Sequence, residues 1–356
     1  MSLAILWFIV LALLWCGFLF LEGFDFGVGM LHDFVGSNEL ERRVAINAIG
    51  PVWDGNEVWL IVAGAGMFAA FPEWYATMFS GLYVALVLLL FALIIRGVSF
   101  EFRAQLDHAG WHWLWDGAMT LGSFLIPLLV GVALGNLVRG LPIDAQHEYT
   151  GSFFTLLNPY SLFVGLTVLL LCLVHGATFL ALKTRGTVQD RAEQVGGWVS
   201  PVAALFVIGF AIWTPVVAGH TARAVVPALA AVAALAAVWL IRARRNGWAF
   251  IATAVAMLAT AATIFVFLYP DVMVSSTNAA YSLTVSNASS TSYTLKVMTV
   301  VTAIFFPLVL IYQGWTYYVF RKRIDVSDLR GGGSDGSGGQ SPEAAAPGSP
   351  GASPAS

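Results

Sequence analysis

Charge is scarce in this chain. Asp, Glu, Lys and Arg make up 10% of its residues while 58% are hydrophobic, against roughly 25% charged residues in soluble domains. A water-soluble globular protein is excluded, because no single core absorbs that much apolar side chain. Cysteine is nearly absent. Cys16 and Cys172 both lie in apolar stretches and form no CxxC spacing, which excludes a disulfide framework or thiolate metal site and leaves them as small core residues. No basic run suggests nucleic acid. The first apolar stretch has no basic residues before it and no small-residue cleavage pattern before Glu22 and Asp25, so it is expected to remain as a helix rather than be removed as a signal peptide. No short-period repeat is present.

What is abundant is the membrane-length apolar run. Taking about 20 residues per helical span, the sequence predicts nine, over 3–24, 50–71, 74–95, 117–138, 159–182, 199–217, 225–241, 248–268 and 299–320. The expected fold is an all-α polytopic membrane domain over 1–325. The basic residues orient it. With the N-terminus outside, fourteen of the 17 Lys and Arg fall on the inner side and only Arg139, Arg223 and Lys296 outside, a strong positive-inside bias with the C-terminus cytoplasmic. From 331 to 356 the composition turns to Gly, Ser, Pro and Ala, which cannot build a core and predicts a disordered cytoplasmic tail.

Two histidine arrangements invite a metal or haem reading. His108 and His112, in HAGWHWLWD, have the four-residue spacing of a helical metal site. Trp111, Trp113 and Trp115 in the same stretch favour an interfacial aromatic belt, and no metal site is expected. His175 is the one histidine inside an expected span. It reads as a hydrogen-bonded packing residue, and a chain with one such histidine cannot supply bis-histidine haem ligation.

The few acids sit where they are costly. Glu22 lies about 28 Å along the first helix from Leu3 at roughly 1.5 Å per residue, near the inner edge of a ~30 Å hydrocarbon core, with Asp25 one turn on. Asp54 and Glu57, in GPVWDGNEVWL, begin the second span at the same edge. Acids favour a helix N-terminus by about 0.3 to 1 kcal/mol, and Pro51 fits such a start, which accounts for Asp54 and Glu57 alone. It does not account for Glu22 and Asp25, which sit toward a C-terminal end. Acids at membrane depth mark ion or proton paths.

Five blocks then carry a resemblance: LEGFDFGVG at 21–29, ERRVAINAIGPVWDGNEVWL at 41–60, FSGLYVAL at 79–86, GSFLIPLLVGVALGNLVRG at 122–140 and SLTVSNASSTSYTLKVMT at 282–299. In this order and over about residues 1–325, the chain resembles subunit II of cytochrome bd-type quinol oxidases. The resemblance implies a multi-pass subunit of the bacterial inner (plasma) membrane. Its partner would be subunit I, carrying haems of b and d type, oxidising quinol and reducing oxygen to water. Small single-helix accessory subunits occur in the family, and some members hold a quinone in subunit II as a structural lipid; no residue pattern here fixes such a site. The resemblance also implies proton delivery from the cytoplasm, electrogenic without pumping, through acids matching Asp25 in GFDFG and Asp54 in WDGNE. Glu22, Glu57 and Arg96, the last in IIRGVSFEFR, join them as secondary candidates; Arg96 reads equally well as a positive-inside anchor. The chain is short between its sixth and seventh spans, where longer relatives carry an insertion. A secondary transporter using membrane carboxylates and a purely structural subunit remain alternatives.

Overall fold

The computed structural model describes residues 2–331. Of the tail expected over 331–356, all but the first residue lies outside the described residues. Among the described residues the chain forms twelve α-helices: α1 (Leu3–Val35), α2 (Glu39–Ile49), α3 (Trp53–Ala70), α4 (Pro72–Gly81), α5 (Tyr83–Phe102), α6 (Ala109–Arg139), α7 (Pro159–Lys183), α8 (Thr187–Val217), α9 (Val225–Arg242), α10 (Asn246–Leu268), α11 (Ser292–Val319) and α12 (Val326–Gly331). A small antiparallel ribbon pairs β1 (Asp271–Met273) with β2 (Leu283–Thr284) in the connection before α11. Eight helices, α1 and α5 to α11, are long and apolar enough to cross a membrane. The ninth expected span is α3, an 18-residue helix whose first turns carry Asp54, Asn56 and Glu57.

α1 is the central post. Its 33 residues make a rod of about 50 Å, and it packs against α3, α6, α7 and α10. The crossing with α7 is backbone on backbone: a Cβ on Gly27 would lie 2.0 Å from the Cys172 carbonyl oxygen and 2.7 Å from the Gly176 Cα. Only glycine permits that approach, the small-residue contact that lets membrane helices pack by dispersion.

Three boundaries differ from the sequence expectation. α1 runs eleven residues beyond 24, because the polar residues that follow, Asp25 and His32, are buried against partners on α3 and α6. The span expected over 74–95 is broken at Leu82, where α4 ends and Tyr149 from the 140–158 connection presses on Gly81; the crossing helix is α5, shifted toward the C-terminus. ERRVAINAI, expected as an inner loop, forms α2. Asn38 caps it by accepting from the Glu41 N–H at 3.0 Å. Val44, Ala45, Ala48 and Ile49 then seal a second apolar core with Phe24, Val28 and Leu31 of α1 and Phe179 and Leu180 of α7.

The connections separate into two sets. At one end the 140–158 and 269–291 segments meet, with Leu141 bridging Ser275. At the other, α2, the 103–108 turn and the residues after α11 gather, with Thr184 bridging Ile324.

Candidate functional site

The membrane-depth acids converge. Glu22 and Asp25, one turn apart on α1, are fully buried, as is Arg96 on α5. One Arg96 terminal nitrogen lies 2.6 Å from Glu22 Oε1 and 3.3 Å from Glu57 Oε2. The contact to Glu22 is a close ion pair rather than an aligned hydrogen bond, and the contact to Glu57 is both. The rest of the guanidinium is walled by aromatic rings, its Cζ 4.9 Å from the centroid of Phe26, 5.5 Å from Phe100 and 5.9 Å from Trp53. Trp53 and Phe100 themselves stack at 4.4 Å. These rings hold the charge in a dry pocket through cation–π contact. Arg96 is thus a buried partner of two acids, not a surface anchor.

Asp25 is held by a residue that sequence reasoning passed over. Asn56 donates from Nδ2 to Asp25 Oδ2 at 2.6 Å and more weakly to the Leu21 carbonyl at 3.4 Å. Its Oδ1 accepts from Gln313 Nε2 at 2.9 Å and from the Tyr317 hydroxyl at 2.8 Å. Two donors on the oxygen fix the amide so that its NH2 must face the carboxylate. Asn56 stood inside the WDGNE motif, and Gln313 and Tyr317 are four apart on one face of α11, but nothing in the sequence links a helix near 313 to one near 25. Asp54 is exposed at the start of α3 and Glu57 has 21% of its side chain exposed. The structure therefore brings Glu22, Asp25, Glu57 and Arg96 together and leaves Asp54 at the rim.

A second ionic cluster lies at the same end. Buried His32 has Nδ1 2.8 Å from the Gly29 carbonyl and Nε2 3.2 Å from Asp116 Oδ1. Arg103 donates to Asp116 at 2.5 and 3.3 Å and to both Glu39 oxygens at 2.7 and 2.8 Å. Burial opposes the Arg103 charge, but the hydrogen bonds it donates to Glu39 and Asp116 outweigh that and raise its pKa. His32, Asp33 and Asp116 bring one ligand atom each within 4.8 Å of one another. Arg103 already engages both Asp116 oxygens, and Arg42 pairs with Asp33 at 2.9 Å, so guanidinium groups stand where an ion would.

The histidines flagged from sequence are structural. His175 is stacked on Phe250 at 4.6 Å with Nδ1 2.8 Å from Thr253 Oγ1. His108 caps α6 by accepting from the Gly110 N–H at 3.1 Å, while His112 turns to Glu39 at 3.5 Å, so the pair does not converge. His32, beyond the expected end of the first span, is a second fully buried histidine, and it is packed against protein acceptors. His175 Nε2 is buried without a hydrogen-bond partner among the described residues, its ring packed between Phe24 and Phe250.

Residues 3–320 match the family model described as cytochrome bd terminal oxidase subunit II. The chain is similar to cytochrome bd ubiquinol oxidase subunit 2 of Bacillus subtilis (46% identical over 328 residues, 91% of this chain and 97% of that one). It is also similar to cytochrome bd-I ubiquinol oxidase subunit 2 of Escherichia coli strain K12 (34% over 365 residues, 92% and 96%). A further relative is the probable cytochrome oxidase subunit 2 of Haemophilus influenzae (36% over 362 residues, 91% and 96%). A chain in the structure of bd oxidase from Geobacillus thermodenitrificans shares the fold, with TM-score 0.70 at 20% identity over 90% of this chain and 97% of that one. This chain belongs to the cytochrome bd terminal oxidase subunit II family, and as such is one subunit of a haem-containing oxidoreductase complex in the bacterial inner membrane.

Proposed function

We propose that this subunit supplies cytoplasmic protons to a haem-bearing subunit I, which oxidises quinol and reduces oxygen to water on haems of b and d type. The observation that carries the proposal is a gradient of exposure along four acids: Asp54 exposed, Glu57 half-buried, Glu22 and Asp25 fully buried around a single guanidinium. A buried unpaired charge is expensive. One guanidinium compensates one carboxylate, so the cluster keeps its charge balanced by holding protons on the remaining carboxyls and can pass them on without moving a helix. Asp54 collects a proton at the rim, Glu57 takes it past the Arg96 gate, and Glu22 and Asp25 hold it in the dry interior. Asn56, clamped by Gln313 and Tyr317, positions the last acid.

The orientation follows the cation count, with this end of the bundle facing the cytoplasm and the N-terminus outside. The partner packs on the face of α3, α5 and α11, where the rim of the cluster opens and where Ile61, Phe91, Ile94 and Leu308 stand exposed. In this reading haem ligation is assigned to that partner. Accessory single-helix subunits and a structural quinone are compatible with this reading, and no residue of this chain is assigned to either. The test is oxygen consumption by assembled Asp25→Asn and Asp54→Asn oxidase carrying its full haem spectrum. Slowed turnover with intact haem supports the proposal; unchanged turnover in both, or loss of activity only together with loss of assembly, favours a purely structural subunit.

A further inference from the structure

A cavity of about 490 Å³ opens between α1, α7, α10 and α11 at the end of the bundle that gathers the basic residues. Its interior is aromatic, with Phe20, Phe24, Phe179 and Phe250 among the walls. Its rim carries three cations, Lys183 at the end of α7 and Arg321 and Arg323 just after α11, and no carboxylate lines it. Each cation is anchored by one backbone carbonyl. The Lys183 ammonium donates to Phe320, Arg321 Nη1 to Tyr318 at 2.7 Å, and Arg323 Nη2 to Ala181 at 3.0 Å. An ammonium has three donors and a guanidinium five, so every rim cation keeps donors free. A greasy slot capped by fixed cations that pair with no carboxylate among the described residues has the chemistry of an anionic lipid site.

We infer that this cavity binds one acyl chain of an anionic diacyl phospholipid of the adjoining leaflet, with its phosphate held by Lys183, Arg321 and Arg323. A quinone headgroup could accept hydrogen bonds there but would leave the three cations without a counter-charge. A free phosphate would leave the aromatic slot unused. Tyr317 also lines the cavity, so a bound chain would rest on the residue whose hydroxyl holds Asn56.

The test is native mass spectrometry of the intact, delipidated oxidase complex titrated with phosphatidylglycerol or with phosphatidylcholine. The wild type should retain phosphatidylglycerol preferentially. Lys183→Gln, Arg321→Gln and Arg323→Gln should each weaken retention about fivefold, following the typical contribution of one cation near a membrane surface. Arg185→Gln with Lys322→Gln removes two exposed cations of the same end that do not line the cavity, and should leave retention unchanged. Equal losses in this control would show diffuse surface charge and overturn the inference. So would equal retention of the two lipids by the wild type, a measurement that needs no variant to fold, or a quinone occupying the complex in place of phospholipid.

Discussion

Replacing Arg96 by methionine would remove the only cation from a dry cluster of acids. At 2.6 Å from Glu22, its attraction to that carboxylate is about 6 kcal/mol at an effective dielectric of roughly 20, and desolvation of the two ions offsets most of it. The net worth of the pair is therefore small, whereas breaking it from one side costs roughly 3 to 5 kcal/mol, because an uncompensated group stays buried. The two sides are not equivalent. Glu22→Gln leaves Arg96 with Glu57 at 3.3 Å, while Arg96→Met leaves both Glu22 and Glu57 without a cation. Arg96→Met should then be the more damaging single change, and the double variant Arg96→Met/Glu22→Gln should recover at least about 1 to 2 kcal/mol relative to the sum of the singles. Reversible unfolding in mixed micelles, followed by tryptophan fluorescence, measures all three. Additive effects, or an Arg96→Met loss under about 1 kcal/mol, would refute the picture of a buried guanidinium shared between Glu22 and Glu57.

Three further outcomes follow from other parts of the chain. Gly27→Ala should destabilise the bundle by about 1 to 3 kcal/mol or more, since its Cβ would strike backbone rather than a movable side chain; Gly117→Ala, with nothing within 4 Å, is the matched control and should be neutral or stabilising in the same unfolding assay. Glu41 links α2 to α8 through Thr187 at 2.9 Å and Arg191 at 2.5 Å and also accepts the Ser37 N–H at 2.8 Å. Burial raises its pKa, but the Ser37, Thr187 and Arg191 interactions outweigh that and lower it. Its stabilising contribution is then present above the unfolded value near 4.3 and lost as pH falls through the lower folded value; thermal melts between pH 7 and 3 should show an acid-side loss that Glu41→Gln reduces. A reporter fused after residue 330 should be cytoplasmic and one inserted near Val285 external, and the opposite labelling would reverse the proposed side of proton entry.

Most of the fold was legible because lipid imposes a simple rule: each crossing must be a long apolar helix. Eight of the nine apolar stretches correspond to one helix each and the stretch over 74–95 to α4 and the start of α5, while the motifs LEGFDFGVG and WDGNE fell on the helices that carry the acid cluster. What escaped were features decided by contacts between distant segments. The length of α1 depends on Asn56 and Asp116, which satisfy Asp25 and His32 where hydropathy alone suggested an end. The break at Leu82 depends on Tyr149, and α2 depends on an Asn38 cap and a core supplied by α1 and α7. Within the site, depth along each helix placed the four acids at one level, but facing could not be read. The structure turns Asp54 outward and replaces it in the interior by Asn56, whose partners Gln313 and Tyr317 lie more than 250 residues away along the chain.

Charge translocation during turnover tests the proton-delivery account most directly. Proteoliposomes containing intact, haem-loaded oxidase with Asp25→Asn, which keeps shape and removes titration, should show slowed oxygen reduction and a matching loss of electrogenic proton uptake from the cytoplasmic side, with assembly unchanged. Wild-type turnover and charge movement in Asp25→Asn, in Asp54→Asn and in the double variant would contradict it.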